Sequence, residues 1–158
     1  MLLDSKYSAS EHGTSELDNI LGKREAFNFP KSKYATADCI RIASSKKNAI
    51  VLDFFAGSGT TGQAVLELNK KDGGKRKFIL CTNNENNIAE EVCYERIKRV
   101  IKGYRNKGES SSKGLGGNLK YFTISNVPRG NKDSDKKILA NKMNDLICLK
   151  EDTFDNLK

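Results

Sequence analysis

An α/β domain with a parallel β-α-β core and flanking helices is the fold class that this sequence predicts. Two short apolar runs, residues 48–54 and 78–81, have the length and composition of buried strands. The segment between them places Ala64, Val65 and Leu68 on one helical face, beginning at Thr61. A strand, a helix and a strand in this order form a crossover unit whose two strands run parallel. The continuous run at residues 49–52 further predicts a central strand that is covered on both faces.

The composition is that of one ordinary domain with a positive charge. The 158 residues include 28 Lys and Arg against 20 Asp and Glu, which gives a net charge of +8. This surplus favours an anionic partner, nucleic acid first, and a lysine-rich soluble protein fits equally well. The four cysteines form no CxxC pair and His12 is the one histidine, so we expect no metal site. No apolar run approaches the roughly 20 residues of a membrane helix.

The cysteines indicate a compartment. The four cysteines are Cys39, Cys81, Cys93 and Cys148. Three of the four lie in apolar helical or strand patterns, where buried free thiols are common. Free thiols of this kind favour a reducing, cytoplasmic location.

Three segments are expected along the chain. Residues 1–27 are polar and predicted to be irregular, apart from a short helical turn at 14–21 that Gly22 ends. His12 is expected in a loop of this segment. Residues 28–125 form the α/β domain, and residues 126–158 form a loop followed by a C-terminal helical segment.

The α/β domain begins with a proline-containing segment and a helix. Pro30 favours an extended conformation for Phe29, and Thr36 is expected to cap a helix that carries Ile40. After the second strand, a polar turn at 83–87 leads into a long helix at 88–104.

The second half of that long helix is basic. Its cations are Arg96, Lys98, Arg99, Lys102 and Arg105. We expect them to form a solvated face, and the alternative is that they contact a nucleic-acid backbone. Beyond it, residues 107–118 are predicted to form a flexible loop and residues 119–124 a third strand. A helix is predicted over 136–149.

A cofactor site is predicted where the first strand ends. Asp53 is followed by Gly57 and Gly59, and a helix then opens at Thr61. A strand-end acid, glycines and a helix N-terminus form a nucleotide-type cofactor site. The turn has neither the G-x-G-x-x-G spacing nor a P-loop lysine, so a ligand without phosphates is preferred. Glu85, after the second strand, is a candidate acceptor for ribose hydroxyls.

These residues resemble a known family. The run 53–61, with Asn28, Phe29, Pro30, Lys31 and Ser32 upstream, is similar to the S-adenosyl-L-methionine-binding half of β-class DNA amino-methyltransferases. It most resembles the modification (Mod) subunit of type III restriction–modification systems. The phrases at 11–14, 66–74 and 93–97 agree with this, so the resemblance covers nearly the whole chain.

The resemblance implies a partial Rossmann-like, S-adenosylmethionine-dependent methyltransferase fold. Residues 53–59 would surround the methionine end of the cofactor, residues 30–32 would add contacts, and the turn after the second strand would face the ribose and adenine. Thr82 stands where the family usually has an acid, so Asn83, Asn84 and Glu85 all remain candidates for the ribose. The cofactor-binding residues expected are Phe29, Pro30, Lys31, Ser32, Asp53, Phe54, Phe55, Ala56, Gly57, Ser58, Gly59, Thr60, Thr61, Asn83, Asn84 and Glu85.

The sequence departs from the family at the catalytic motif. The Asp-Pro-Pro-Tyr motif, which would bind the target amine and stack on a flipped base, is absent. The two prolines, Pro30 and Pro128, are far apart, and the nearest imitation, at 126–129, lacks the second proline and the aromatic residue. No residue is therefore expected to be catalytic, and the chain is expected to be the C-terminal portion of a methyltransferase that ends in mid-element.

Two functions follow from this pattern. The first is the S-adenosylmethionine-binding part of a DNA adenine-N6 methyltransferase, inactive alone, whose intact form acts on DNA and would join a Mod dimer and a restriction subunit. The second is a non-catalytic DNA-binding or assembly module derived from such an enzyme.

Overall fold

The computed structural model describes residues 5–105, 112–124 and 132–150. These residues belong to two compact units, Met1–Tyr121 and Phe122–Lys158. In the first unit the helices are α1 (Glu16–Leu21), α2 (Lys33–Ala43), α3 (Thr60–Asp72) and α4 (Glu95–Lys102), and the strands are β1 (Ile50–Asp53), β2 (Lys77–Leu80), β3 (Gly103–Tyr104) and β4 (Ser112–Lys113). Short 3₁₀ turns lie at Ser5–Tyr7 and Glu85–Asn87, and π-helical segments lie at Ser10–Ser15 and Ile88–Tyr94. The second unit contains α5 (Asp133–Lys150).

The predicted parallel β-α-β unit is confirmed. β1 pairs with β2 in parallel, with Ile50 opposite Lys77 and Asp53 opposite Leu80, and α3 connects the two strands. The inner face of α3 buries Ala64, Val65 and Leu68, as the spacing predicted, and packs against Val51 and Phe78. α3 begins one residue earlier than predicted.

The prediction that β1 is covered on both faces is wrong for this chain. Ile50 is 65% exposed, Leu52 49% and Ile79, on β2, 51%. Successive side chains of a strand point to opposite faces, and the helical layer that contains α3 covers one of them. The other face of the two-stranded sheet is therefore an open apolar surface.

The helical turn predicted at 14–21 is present as α1, and the expectation that the rest of the N-terminal segment is irregular is corrected for Ser5–Tyr7 and Ser10–Ser15, which are 3₁₀- and π-helical. Leu17 and Ile20 are fully buried, and Leu21 nearly so. Leu17 and Leu21 pack with Val92, and Ile20 packs with the cluster that includes Ile97. The i, i+3, i+4 spacing of these apolar residues gives a short helix one continuous buried face, and tertiary packing stabilises it. Gly22, with φ of 70°, ends α1 as predicted.

The proline-containing segment differs from the prediction at two residues. Ser32, rather than Thr36, caps α2, because its Oγ accepts a hydrogen bond from the Tyr34 N–H at 3.3 Å. Phe29 has a φ of 57° and is not extended. The reason is tertiary: Pro30 is fully buried, and a side chain at Gly13 would come within 2.1 Å of the Pro30 carbonyl oxygen. Close packing of Pro30 thus overrides the local preference of Phe29.

The long helix predicted at 88–104 is shorter and begins as a π-helical segment. It continues as α4, and Tyr104 instead lies in β3, which pairs antiparallel with β4. Neither of these two-residue strands was predicted. The third strand predicted at 119–124 is wrong, since these residues form no regular element. Leu119 nevertheless packs against the core cluster that contains Ile97, which explains the apolar pattern there.

In the second unit, α5 confirms the predicted C-terminal helix, and it begins at Asp133. Acids in the first turn, Asp133 and Asp135, favour this earlier start because they complement the helix dipole. The predicted loops at 107–118 and 126–135, including the element at 126–129, lie partly or wholly outside the described residues, as does the side chain of Cys148. Among the described residues, no helix has the length and apolarity to cross a membrane.

Candidate functional site

The Asp53 carboxylate forms two hydrogen bonds across the turn that follows β1, and we call this arrangement the clasp. Its Oδ1 accepts the Phe55 N–H at 3.0 Å, and its Oδ2 accepts the Thr61 hydroxyl at 2.6 Å. One carboxylate thus ties the beginning of the turn to the first turn of α3. A carboxylate has about four acceptor positions, so each oxygen keeps capacity for a further donor.

Two glycines give the turn its shape. Gly57 and Gly59 have φ values of 51° and 78°, in the left-handed region that favours glycine. A side chain at Gly59 would also meet the Cys93 Sγ at 3.0 Å, and one at Gly57 would meet the Phe27 ring at 3.4 Å. The backbone conformation favours glycine at both positions, and close packing against Cys93 favours it further at Gly59.

The turn is also tied to the end of β2. The Ala56 N–H donates to the Cys81 carbonyl at 3.1 Å, and the Cys81 N–H donates to the Asp53 carbonyl at 2.8 Å. The carboxyl ends of the two strands and the turn consequently form one edge, which we call the Asp53 edge.

Arg96, on α4, lies beneath the turn and is fully buried. Its Nη1 donates to the Ser58 carbonyl at 3.2 Å, to the Ser58 Oγ at 3.1 Å and to the Thr60 Oγ1 at 2.9 Å. Burial lowers the pKa of Arg96 to about 10, while the nearby carboxylates of Glu16 and Glu67 oppose this shift. The guanidinium is therefore still protonated at neutral pH, and it holds the turn from inside.

A network of charged and polar groups continues from Arg96 to the other helices. The Arg96 Nε donates to the Gln63 Oε1 at 2.8 Å, and the Gln63 Nε2 donates to Glu16 at 2.7 Å and Glu67 at 2.9 Å. The Lys33 ammonium binds both carboxylates, at 2.6 and 2.8 Å. Burial would lower the pKa of Lys33, but the hydrogen bonds and charges of Glu16 and Glu67 outweigh it and raise the pKa. Two cations and two anions balance, and the network joins α1, α2, α3 and α4.

The segment before α2 lies against the turn. The Thr60 hydroxyl donates to the Lys31 carbonyl at 3.5 Å, and the Ser32 hydroxyl donates to the Lys6 carbonyl at 2.7 Å. The first of these contacts joins the segment before α2 to the turn, and the second joins it to the N-terminal 3₁₀ turn.

The predicted site residues differ in exposure. Exposed residues are Phe29, Lys31, Phe54, Phe55, Asn83, Asn84 and Glu85, and partly exposed ones are Asp53, Gly57 and Thr61. Buried residues are Pro30, Ser32, Ala56, Ser58, Gly59 and Thr60. The side chains of Ser58 and Thr60 bind Arg96, so these two residues shape the turn from within. After β2, the Asn84 Oδ1 accepts the Ala89 N–H at 3.1 Å.

One cation of α4, Arg96, does not lie where the sequence predicted. Arg96 was expected on a solvated or nucleic-acid-binding face, and the structure buries it instead. The available signal was position, because Arg96 lies four residues from both Val92 and Val100, in the middle of the apolar stripe. Lys98 and Arg99 share the single carboxylate of Glu95, at 2.7 and 3.7 Å, so one of their two charges is compensated there.

The cysteines are less buried than expected. Cys93 is buried, and burial raises the pKa of its thiol to about 11. Cys39 and Cys81 are exposed free thiols, which corrects the expectation of burial for them. The described residues contain no group of three or more His, Cys, Asp or Glu side chains placed to hold a metal ion.

The fold and the turn together define a class. A parallel strand pair, a strand-end acid and a glycine turn that opens a helix are typical of α/β domains that bind a ligand at the carboxyl edge of the sheet. Residues 4–92, more than half of the chain, match the DNA methylase family. The chain belongs to this family.

Similarity to individual proteins gives a more specific class than the family match does. The chain is 37% identical over 121 residues to the type III restriction-modification enzyme StyLTI Mod subunit of Salmonella typhimurium, covering 69% of this chain and 18% of that protein. It is 48% identical over 115 residues to the EcoPI Mod subunit of Escherichia phage P1, covering 68% and 17%. The type II methyltransferase M.KpnI of Klebsiella pneumoniae is 38% identical over 92 residues, covering 58% and 22%. The resemblance to type III Mod subunits is confirmed, and the chain spans about a fifth of the length of these relatives.

Proposed function

We propose that this chain is the S-adenosylmethionine-binding part of a DNA adenine-N6 methyltransferase of a restriction–modification system. The observation that carries this proposal is the Asp53 edge, where a clasped carboxylate and a left-handed glycine turn lie at the carboxyl ends of two parallel strands. Residues 53–59 would hold the methionine end of the cofactor.

The chemistry of the turn suits a cationic ligand without phosphates. Asp53 keeps acceptor capacity that an ammonium group can use, and the turn contains no lysine to bind phosphate. Phe54 and Phe55 follow Asp53 and are 64% and 92% exposed. Apolar rings this exposed beside a polar site gain free energy when a ligand or a further part of the protein covers them.

The other groups of the cofactor have candidate partners on both sides of the turn. Asn83, Asn84 and Glu85 follow β2 and would face the ribose and adenine, and the three residues remain alternatives for the ribose hydroxyls. On the opposite side, the segment from Phe29 to Ser32 would cover the cofactor, supported by the contact between Thr60 and the Lys31 carbonyl.

Methyl transfer itself would need the whole enzyme. The amine of a flipped adenine attacks the sulfonium methyl group directly, so positioning and base flipping supply most of the rate. The Asp-Pro-Pro-Tyr motif that would position the amine is absent from this sequence, and we therefore propose that the isolated chain does not methylate DNA. The open face of β1 and β2 supports this, because a parallel sheet is normally covered on both faces. DNA, a second Mod subunit and a restriction subunit would be partners of the whole protein in the cytoplasm.

Calorimetric titration with S-adenosylhomocysteine tests the cofactor site. We expect Asp53→Ala to weaken binding by about tenfold or more, because one charged hydrogen bond contributes about 1.5–3 kcal/mol. Asp53→Asn, which keeps the shape of the clasp and removes the charge, should also weaken binding. Asp133→Ala, which removes an exposed carboxylate on α5, is the control. Unchanged affinity in both Asp53 variants would refute the site.

The position of the ligand can be tested separately through the exposed thiols. Cys81 lies at the end of β2 on the Asp53 edge, and Cys39 lies on α2. Bound S-adenosylhomocysteine should slow alkylation of Cys81 and leave Cys39 unaffected, as measured by mass spectrometry of the labelled peptides. Equal labelling of Cys81 with and without ligand would place the ligand elsewhere.

The alternative function, a non-catalytic DNA-binding or assembly module, makes opposite predictions. It is supported if the chain binds duplex DNA and shows no heat of binding with S-adenosylhomocysteine. Incubation with labelled S-adenosylmethionine and mixed-sequence DNA tests the proposed inactivity, and incorporated label would overturn it.

A further inference from the structure

Five exposed lysines gather at the amino ends of β1 and β2, on the side of the sheet away from the Asp53 edge. Two precede β1, two end α3 and one precedes β2; they are Lys46, Lys47, Lys70, Lys71 and Lys75. Hydrogen bonds hold these three segments together: the Lys75 N–H donates to the Lys47 carbonyl at 2.7 Å, and the Lys47 ammonium donates to the Asp72 carbonyl at 3.0 Å. We call this group the lysine surface.

The charge of the lysine surface is not compensated within these segments. Asp72 is the one acidic residue in 44–49 and 69–77, all of which the structure describes. Its carboxylate is bound by the Arg76 guanidinium at 3.0 and 2.9 Å, a contact that lowers the pKa of Asp72. The Arg76–Asp72 pair is neutral, so the five lysines account for a large share of the net charge of +8.

Helix stability explains part of this arrangement. Lys70 and Lys71 lie in the last turn of α3, where cations complement the helix dipole. The Lys47 ammonium binds the carbonyl of Asp72, the last residue of α3, and so has a similar role from outside the helix. Lys46 and Lys75 lie outside the helix and have no such role. Like charges held together in this way repel one another, and an anionic partner relieves that repulsion.

We propose that the lysine surface binds the phosphate backbone of duplex DNA without reading its sequence. Lysine ammonium groups act as point charges suited to phosphates, and they carry no planar group for base recognition. Residues 44–49 and 69–77 contain no aromatic side chain, so the surface lacks the stacking platform that single-stranded nucleic acids use.

The basic half of α4, the alternative DNA contact, is a weaker candidate than the lysine surface. Arg96 is buried, and Lys98 and Arg99 share the carboxylate of Glu95. The lysine surface lies at the opposite ends of the strands from Asp53, about 10–13 Å away along β1 at a rise of about 3.3 Å per residue. Backbone contact there would be separate from the cofactor site, and this proposal does not depend on cofactor binding.

Fluorescence anisotropy with a labelled mixed-sequence duplex tests the proposal on the full chain. The triple variant Lys70→Glu, Lys71→Glu, Lys75→Glu should weaken binding about tenfold or more at low salt. Between about 50 and 200 mM salt, the slope of log affinity against log salt should fall in magnitude by about 2–3, near 0.9 for each phosphate that the variant no longer neutralises. The matched control, with the same change in net charge, replaces exposed cations at the beginning of α5: Lys132→Glu, Lys136→Glu, Lys137→Glu.

The outcomes separate the explanations. The proposal is supported if the lysine-surface triple loses affinity and the control triple changes it by less than about threefold. Equal losses in both variants, which would indicate net charge alone, overturn it, as does tighter binding to a single strand or equal binding to polyglutamate. The same three lysines replaced by glutamine guard against unfolding and should give a smaller loss in the same direction. Affinity for S-adenosylhomocysteine should be unchanged in all of these variants.

Discussion

Arg96→Met should destabilise the first unit, and the size of the effect follows from the hydrogen bonds of the guanidinium. The Nε donates one hydrogen bond to Gln63, and the two hydrogens of Nη1 serve three acceptors on Ser58 and Thr60. Methionine is similarly long and fills much of the same volume, so the variant chiefly removes these donors and the charge.

Two effects make the loss in free energy of unfolding smaller than the sum of these hydrogen bonds. Three hydrogen bonds from a charged donor would contribute about 1.5–3 kcal/mol each. The Ser58 and Thr60 hydroxyls, 3.3 Å apart, can still bond to each other. Removing a buried charge also removes its desolvation cost, which is real here because the Arg96 Nη2 has no hydrogen-bond partner. We therefore expect a net loss of about 3 kcal/mol, or roughly 10 °C in Tm for a protein of this size.

Urea and thermal unfolding followed by circular dichroism measure this loss. Arg41→Met is the matched control, since Arg41 is exposed on α2, and this change should cost less than about 0.5 kcal/mol. Arg96→Lys keeps the charge with a single donor group and should fall between wild type and Arg96→Met. If Arg96→Met unfolds within about 0.5 kcal/mol of wild type, the guanidinium does not hold the turn.

Two further predictions test the turn and the surface of α4. Gly59→Ala and Gly73→Ala both place alanine in the left-handed region, at about 1 kcal/mol each; only Gly59 would also meet Cys93, at 3.0 Å, whereas Gly73 faces open space. Urea unfolding should show Gly59→Ala to be more destabilising by about 1 kcal/mol, and equal losses would mean that Cys93 moves aside. The hydrogen bond from Lys98 holds the pKa of Glu95 below its ordinary 4.5, so its stabilisation is present at neutral pH and is lost as the pH falls below that value. The difference in Tm between wild type and Glu95→Gln should therefore shrink as the pH falls below about 4.5, and a constant difference from neutral to acidic pH would contradict this.

The central unit could be predicted because its signals are local. Apolar runs of strand length, a helical stripe and a glycine turn each depend on neighbouring residues, and β1, α3 and β2 appear where these patterns place them. The clasp by Asp53 was within reach for the same reason, as its partners lie within eight residues.

The exposed face of the sheet shows that such patterns do not determine burial. The apolar run that includes Ile50 and Leu52 predicts burial on both sides, yet both side chains are about half exposed or more. A sequence pattern records the surroundings to which a strand is suited, whereas exposure depends on which other elements are present. The same reasoning applies to residues 119–124, where Leu119 packs into the core without strand pairing.

The burial of Arg96 escaped prediction for a related physical reason. Charged side chains are usually solvated, and four of them, Glu16, Lys33, Glu67 and Arg96, gave no local sign that they meet. Such groups are buried at acceptable cost only when their charges balance and their hydrogen bonds are satisfied together. Gln63 makes this possible, because its amide joins the Arg96 guanidinium to both carboxylates. The conformation of the turn at Ser58 thus depends on Glu16, forty-two residues earlier, and on Arg96, thirty-eight residues later. The glycines make a left-handed turn possible, and the network around Arg96 determines the conformation that the turn adopts.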